Sequence, residues 1–164
     1  AAGLGANPEA AARTLREFRG LDHRHLTVHE EGGVAWVDDS KATNVGAALA
    51  ALRGYPGHSV HLILGGQAKG QDFSVMAPEV ARAAVALYTI GIDGPAIAAE
   101  LADAAPVTEC ETLDEAVRRA RAAAGRGQWV LLAPACASYD QFSGYAERGR
   151  RFAELARSEV ARCR

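Results

Sequence analysis

Three segments of this chain are apolar at nearly every position, residues 60–64, 86–90 and 129–133. Near-continuous hydrophobic runs of about five residues mark strands buried on both faces, as in a parallel sheet. Around them the period lengthens to that of amphipathic helices at 44–52, 74–84, 95–102 and 113–124, and a shorter strand fits 107–110. Upstream, 25–30 and 34–38 flank Glu31-Gly32-Gly33, which predicts two strands joined by a tight turn. Asn7-Pro8-Glu9 places a capping side chain before proline at the first helical position, so a helix is predicted over 8–18, ended by Gly20. An Arg/Ala/Glu-rich stretch, 146–161, predicts a last helix covering one face. Repeated strand–helix–strand order needs right-handed crossovers, so the fold class is α/β: a doubly wound, mostly parallel, Rossmann-like sheet.

Composition narrows the picture. With 164 residues and 49% hydrophobic content, one domain with one core is expected. A net charge of -2, with arginines interspersed among acids as at 115–121, gives no reason to expect nucleic acid or an anionic membrane as partner. No apolar run approaches the roughly 20 residues that span a bilayer, and no basic-then-apolar leader precedes the domain, so a cytoplasmic protein, by default a monomer, is expected. Cys110, Cys136 and Cys163 lack paired spacing and read as reduced thiols. The histidines His23, His25, His29, His58 and His61 lack metal-ligand spacing, and no metal site is expected. The chain opens at Ala1 and its sole methionine is Met76, which suits a piece of a longer polypeptide.

The candidate chemistry gathers around the only two lysines, Lys41 and Lys69; the rest of the 18 Lys and Arg positions are arginine. Each lysine follows a predicted strand, in DDSKATN at 38–44 and GGQAKG at 65–70, and a third loop, PACAS at 134–138, follows another. In open parallel sheets, ligands bind at the carboxyl ends of strands, so all three loops are expected on one edge. There they offer two ammonium groups, the hydroxyls of Thr43 and Ser138 and helix-start N–H groups, a set suited to an anionic ligand. Plainer readings stay open: Asp39, Ser40 and Thr43 also suit caps for a helix beginning near Asn44, and Gly65-Gly66 suits a tight turn with Lys69 solvated. Gly70 is followed by Gln71 and Asp72, so this is no phosphate-binding P-loop. Cys136 has no evident histidine partner and Ser138 no GxSxG elbow, which argues against covalent catalysis. Arg24, at the entry to the sheet, is placed to aim a guanidinium at a phosphate.

DDSKATN at 38–44, HLILGGQAKGQDF at 61–73 and APACASYDQFSGYAERGRRF at 133–152 closely resemble the C-terminal domain of the Mur ligases, from about Gly20 to the C-terminus. Within that family they are most similar to the members that add D-glutamate. The resemblance implies an ATP-dependent amide ligase of peptidoglycan precursor synthesis, in which ATP phosphorylates the carboxylate of UDP-N-acetylmuramoyl-L-alanine and the D-glutamate amine attacks the acyl phosphate. It implies that residues 21–164 are the D-glutamate-binding domain and residues 1–20 the tail of a central domain that holds the P-loop and Mg2+, and that the isolated chain is inactive. It implies ATP contacts for Arg24, Asp39, Lys41 and Asn44, with Asp39 near the ribose and Lys41, the catalytic candidate, near phosphate or the reacting centre. Thr43, Lys69 and Ser138 would hold the D-glutamate carboxylates. The family position giving a backbone contact to the amino acid is usually phenylalanine and here is Tyr145, a change a backbone contact survives. Two other readings remain: a stand-alone Rossmann-like module for a nucleotide or acidic metabolite, and the same domain of a sibling Mur or folylpolyglutamate ligase.

Overall fold

The structure, a computed structural model, describes residues 7–17 and 20–158. A helix α1 (Pro8–Glu17) precedes the antiparallel pair β1 (Leu26–Glu31) and β2 (Val34–Asp38). There follow α2 (Val45–Leu52), β3 (Val60–Gly65), α3 (Ala77–Ala83), β4 (Ala84–Ile90), α4 (Gly94–Leu101), β5 (Val107–Glu111), α5 (Leu113–Ala123), β6 (Trp129–Leu132) and α6 (Tyr145–Arg157). Strand order is β1-β2-β6-β3-β4-β5, and every pair except β1 with β2 is parallel.

Strand periodicity decides what each face buries. Leu62 and Leu64 pack with Leu87, Leu131 and the apolar stripes of α2, α3 and α4, whereas Ile63 packs with Tyr88, Val130, Leu132 and those of α5 and α6. The result is a three-layer α/β/α sandwich whose central strands are covered on both sides, which is why β3 is buried at all six positions. His61 follows the same rule: it lies 1% exposed on the α5/α6 side, with Nδ1 3.0 Å from the Tyr88 hydroxyl and Nε2 3.0 Å from Gln128 Oε1.

Several expected boundaries move. The helix predicted over 74–84 is a 3-10 turn at Ser74–Met76 followed by α3, and Ala84 already belongs to β4, because Pro78 sits in the first turn of α3 and resets the helix start. The last helix begins at Tyr145 and ends at Arg157, where Ser158 turns to extended backbone. Residues 18 and 159–161 of the predicted helices, and Cys163, lie outside the described residues. Among those described, no helix is long and apolar enough to cross a membrane.

Candidate functional site

The carboxyl ends of β2, β3 and β6 carry the three loops, and main-chain bonds stitch them together. Asp39 N–H donates to the Leu132 carbonyl at 2.9 Å, and Ala135 N–H to that of Ala42 at 2.8 Å. Gln67 and Ala137 exchange N–H to carbonyl bonds of 2.9 and 3.1 Å. This approach requires glycine: a Cβ on Gly65 would overlap the Ile90 carbonyl and one on Gly66 that of Ala137, and both have φ near +120°, at 122° and 125°. Gln71 closes the set, accepting from Val45 N–H at 2.9 Å and donating to the Ala68 and Ala135 carbonyls at 2.9 and 3.0 Å.

Beneath the loops lies a polar layer. Arg148, 1% exposed, donates from Nε to Ser40 Oγ and from the single nitrogen Nη2 to the carbonyls of both Ser40 and Cys136, each at 3.0 Å. One guanidinium thereby ties the Lys41 loop, the Ser138 loop and α6 together. Burial pulls its pKa down to about 10, which still leaves it protonated at neutral pH. Beside it, His23 Nδ1 donates to the buried carboxylate of Asp38 at 2.6 Å, and Asp38 also accepts from Ser40 N–H at 2.9 Å. Gly149 lets α6 pass directly over this pair.

The groups above this layer face the open edge. Arg24 and Lys69 are exposed. Thr43 is half-buried and Ser138 buried, and among the described residues neither hydroxyl, nor the Arg24 or Lys69 head group, has a hydrogen-bond partner. Lys69 is held at φ 55° with its ammonium 5.8 Å from the Tyr139 ring centroid, and Lys41 places its ammonium 3.8 Å from that of Tyr145. Asp39 accepts from His25 N–H at 3.2 Å. The cap of α2 is Asn44, whose Oδ1 accepts from Ala47 N–H at 2.9 Å. Asp39, Ser40 and Thr43 do not cap that helix. Burial pushes the Cys136 thiol up to about 12, which disfavours the thiolate that a nucleophile needs. Sequence reasoning brought Lys41, Thr43, Lys69 and Ser138 to one edge; it missed Gln71, His23 with Asp38, and Arg148. A signal for Arg148 exists, since with Phe152 and Ala156 it forms an i, i+4, i+8 stripe on the buried face of α6.

Such an edge can bind a multiply charged anion by ammonium, guanidinium and hydroxyl groups. The profile of the family described as "Mur ligase, glutamate ligase domain" matches residues 23–136. The chain belongs to this family. Among Mur ligase relatives, it is 51% identical over 154 residues to a UDP-N-acetylmuramoylalanine--D-glutamate ligase of Methylococcus capsulatus, covering 94% of this chain and 33% of that protein. A protein of the same name from Anaeromyxobacter dehalogenans is 46% identical over 159 residues, covering 96% of this chain and 34% of its own length. The chain thus spans about a third of the curated relatives it matches. Solved structures share the Mur ligase domain's fold: a murein peptide ligase from Psychrobacter arcticus (TM-score 0.57, 15% identity, 92% of this chain and 33% of that one) and a bifunctional folylpolyglutamate synthase/dihydrofolate synthase from Yersinia pestis (0.63, 18%, 91% and 34%).

Proposed function

We propose that this chain is the amino-acid-binding domain, residues 21–164, of a longer cytoplasmic UDP-N-acetylmuramoyl-L-alanine:D-glutamate ligase, with residues 1–20 belonging to a preceding ATP-binding domain. The observation that carries the reading is the gathering of Lys69, Thr43 and Ser138 on three cross-bonded loops, their polar ends without a hydrogen-bond partner among the described residues. D-Glutamate presents two carboxylates, and these groups supply the charge and hydroxyl donors that two carboxylates need. Tyr145 adds its N–H, an orphan donor in the first turn of α6.

Arg24 and Asp39 take the ATP side, Asp39 toward the ribose, and Lys41 meets phosphate. The Oδ1 of Asn44 is engaged in the cap, so its amide nitrogen is the atom left for a nucleotide contact. In the reaction the UDP-N-acetylmuramoyl-L-alanine carboxylate takes the terminal phosphoryl group of ATP, releasing ADP; the D-glutamate amine then displaces phosphate and forms the amide. This chain orients the amine and stabilises charge on the transferring phosphoryl group. In this reading Mg2+ is held mainly by the preceding domain; when bound, the ion neutralises phosphate charge.

The test is Lys69→Ala in the longer protein. Loss of a charged contact worth about 1.5–3 kcal/mol raises KM for D-glutamate about 10- to 150-fold. An unchanged KM removes Lys69 from the site, and ligation of meso-diaminopimelate or L-lysine in place of D-glutamate assigns the domain to a sibling enzyme.

A further inference from the structure

We propose that the ring of Tyr145 is a positioning device for the Lys41 ammonium. Lys41 Nζ lies 3.8 Å from the ring centroid, where a cation meets the negative face of an aromatic ring. Among the described residues it has no carboxylate within ion-pair distance, so the ring is its protein partner. The ring is itself fixed. His23 stands edge-on to it, centroids 6.1 Å apart and planes at 76°, and is anchored through Nδ1 to buried Asp38. The Tyr145 carbonyl accepts from Ser40 Oγ at 2.8 Å, and Ser40 Oγ is held by Arg148. The Lys41 main chain is tied to the same residue, its N–H donating to the His23 carbonyl at 3.0 Å. His23 therefore sets both the ring and the start of the lysine side chain, and the ring sets its end.

A free lysine side chain spreads over many rotamers, and each must be abandoned when the ammonium meets a phosphoryl group. An ammonium already parked beside the site has less to lose at the transition state. Lys69 offers the contrast: it is exposed and lies 5.8 Å from the Tyr139 ring. The role proposed for Tyr145 deepens the ligase reading and rests on it, because it assumes that Lys41 acts on phosphate. It differs from the backbone contact with D-glutamate, which any residue at 145 provides.

The chain has just two lysines, so isotope labelling of lysine alone yields two sets of side-chain NMR signals, assigned with Lys69→Arg. The ε-methylene protons of Lys41 are expected upfield, shifted by the ring current. They stay there in Tyr145→Phe, which keeps the ring, and move to the free-lysine position in Tyr145→Leu, with Tyr145→Met as a second ring-free variant should the first not fold. An unmoved Lys41 signal in the ring-free chain overturns the proposal. In the longer protein, Tyr145→Leu lowers kcat about 2- to 30-fold, the range a cation–π contact spans, with a smaller change in KM for D-glutamate. Tyr145→Phe recovers most of that loss. A kcat that survives loss of the ring also overturns the positioning role, whereas failure of the wild-type longer protein to ligate D-glutamate overturns the ligase reading and leaves the NMR result standing.

Discussion

Gly149 stands in the interior of α6, where helix propensity alone favours alanine over glycine by about 1 kcal/mol. Packing reverses the sign. A Cβ built on Gly149 overlaps His23 Nδ1 and lies 2.7 Å from Asp38 Oδ2 and 2.8 Å from His23 Cε1, so Gly149→Ala must pry open the His23–Asp38 bond. A hydrogen bond to a charged group contributes about 1.5–3 kcal/mol net. Asp38 is 1% exposed, so water cannot readily replace the lost donor. Setting this loss against the propensity gain leaves a destabilisation of about 0.5–2 kcal/mol. In a domain of this size Tm then falls by about 1–8 °C. Differential scanning calorimetry of the two chains reads it directly. In a His23→Ala background the ring is gone, and the same Gly149→Ala step should lose most of its cost, a coupling that the double-mutant cycle isolates. A Gly149→Ala chain that melts above wild type would refute the close approach of α6 to this pair.

Arg148→Met leaves the carbonyls of Ser40 and Cys136 buried without that donor, and the urea midpoint should fall by the equivalent of about 2–4 kcal/mol with an unchanged m-value; a midpoint like wild type would remove the clamp. Burial holds the pKa of His61 below its usual value, so the unfolded chain takes up the proton first as pH drops through about 6.5. Unfolding free energy should decline from about pH 7.5 to about pH 5, less steeply in His61→Phe, and equal slopes would exclude a buried neutral imidazole. Burial pushes the Cys110 and Cys136 thiols up to about 11 and about 12, so a Cys163→Ser chain should not react with a thiol reagent at about pH 8 until denaturant is added. Rapid labelling of the native chain would contradict that burial.

The sheet was legible because buried strands leave an unmistakable record: 60–64, 86–90 and 129–133 became β3, β4 and β6 with shifts of at most two residues. The gathering of three loops at one edge followed from the carboxyl-end rule. Strand order was not legible, because pairing between β2 and β6 joins residues about ninety positions apart and nothing local encodes it. The polar layer was hidden for a related reason. Arg148 sits in a run with Arg150 and Arg151 that reads as a solvated helix face; its spacing with Phe152 and Ala156 marks the buried side of α6, but the partners that hold its charge lie on two distant loops. His23 showed only a lack of metal-ligand spacing in the sequence, and the fold brings Asp38 to it across fifteen residues. The open alternative that Asp39, Ser40 or Thr43 caps α2 is settled by the residue next to the helix: Asn44 makes the bond.

The place of β6 between β2 and β3 also bears on how the domain is made. A chain emerging from the ribosome must finish β1 to β5 before the strand that joins them exists, so β2 and β3 each wait with an open edge. The sheet is two unlinked pieces until residues 129–132 arrive, and its closing contacts are among the longest in sequence. Such a topology folds late and slowly, and a nascent chain stalled before β6 exposes two apolar strand edges to its neighbours. The same strand that delivers the Ser138 loop to the site is the one that joins the two pieces of the sheet into a domain.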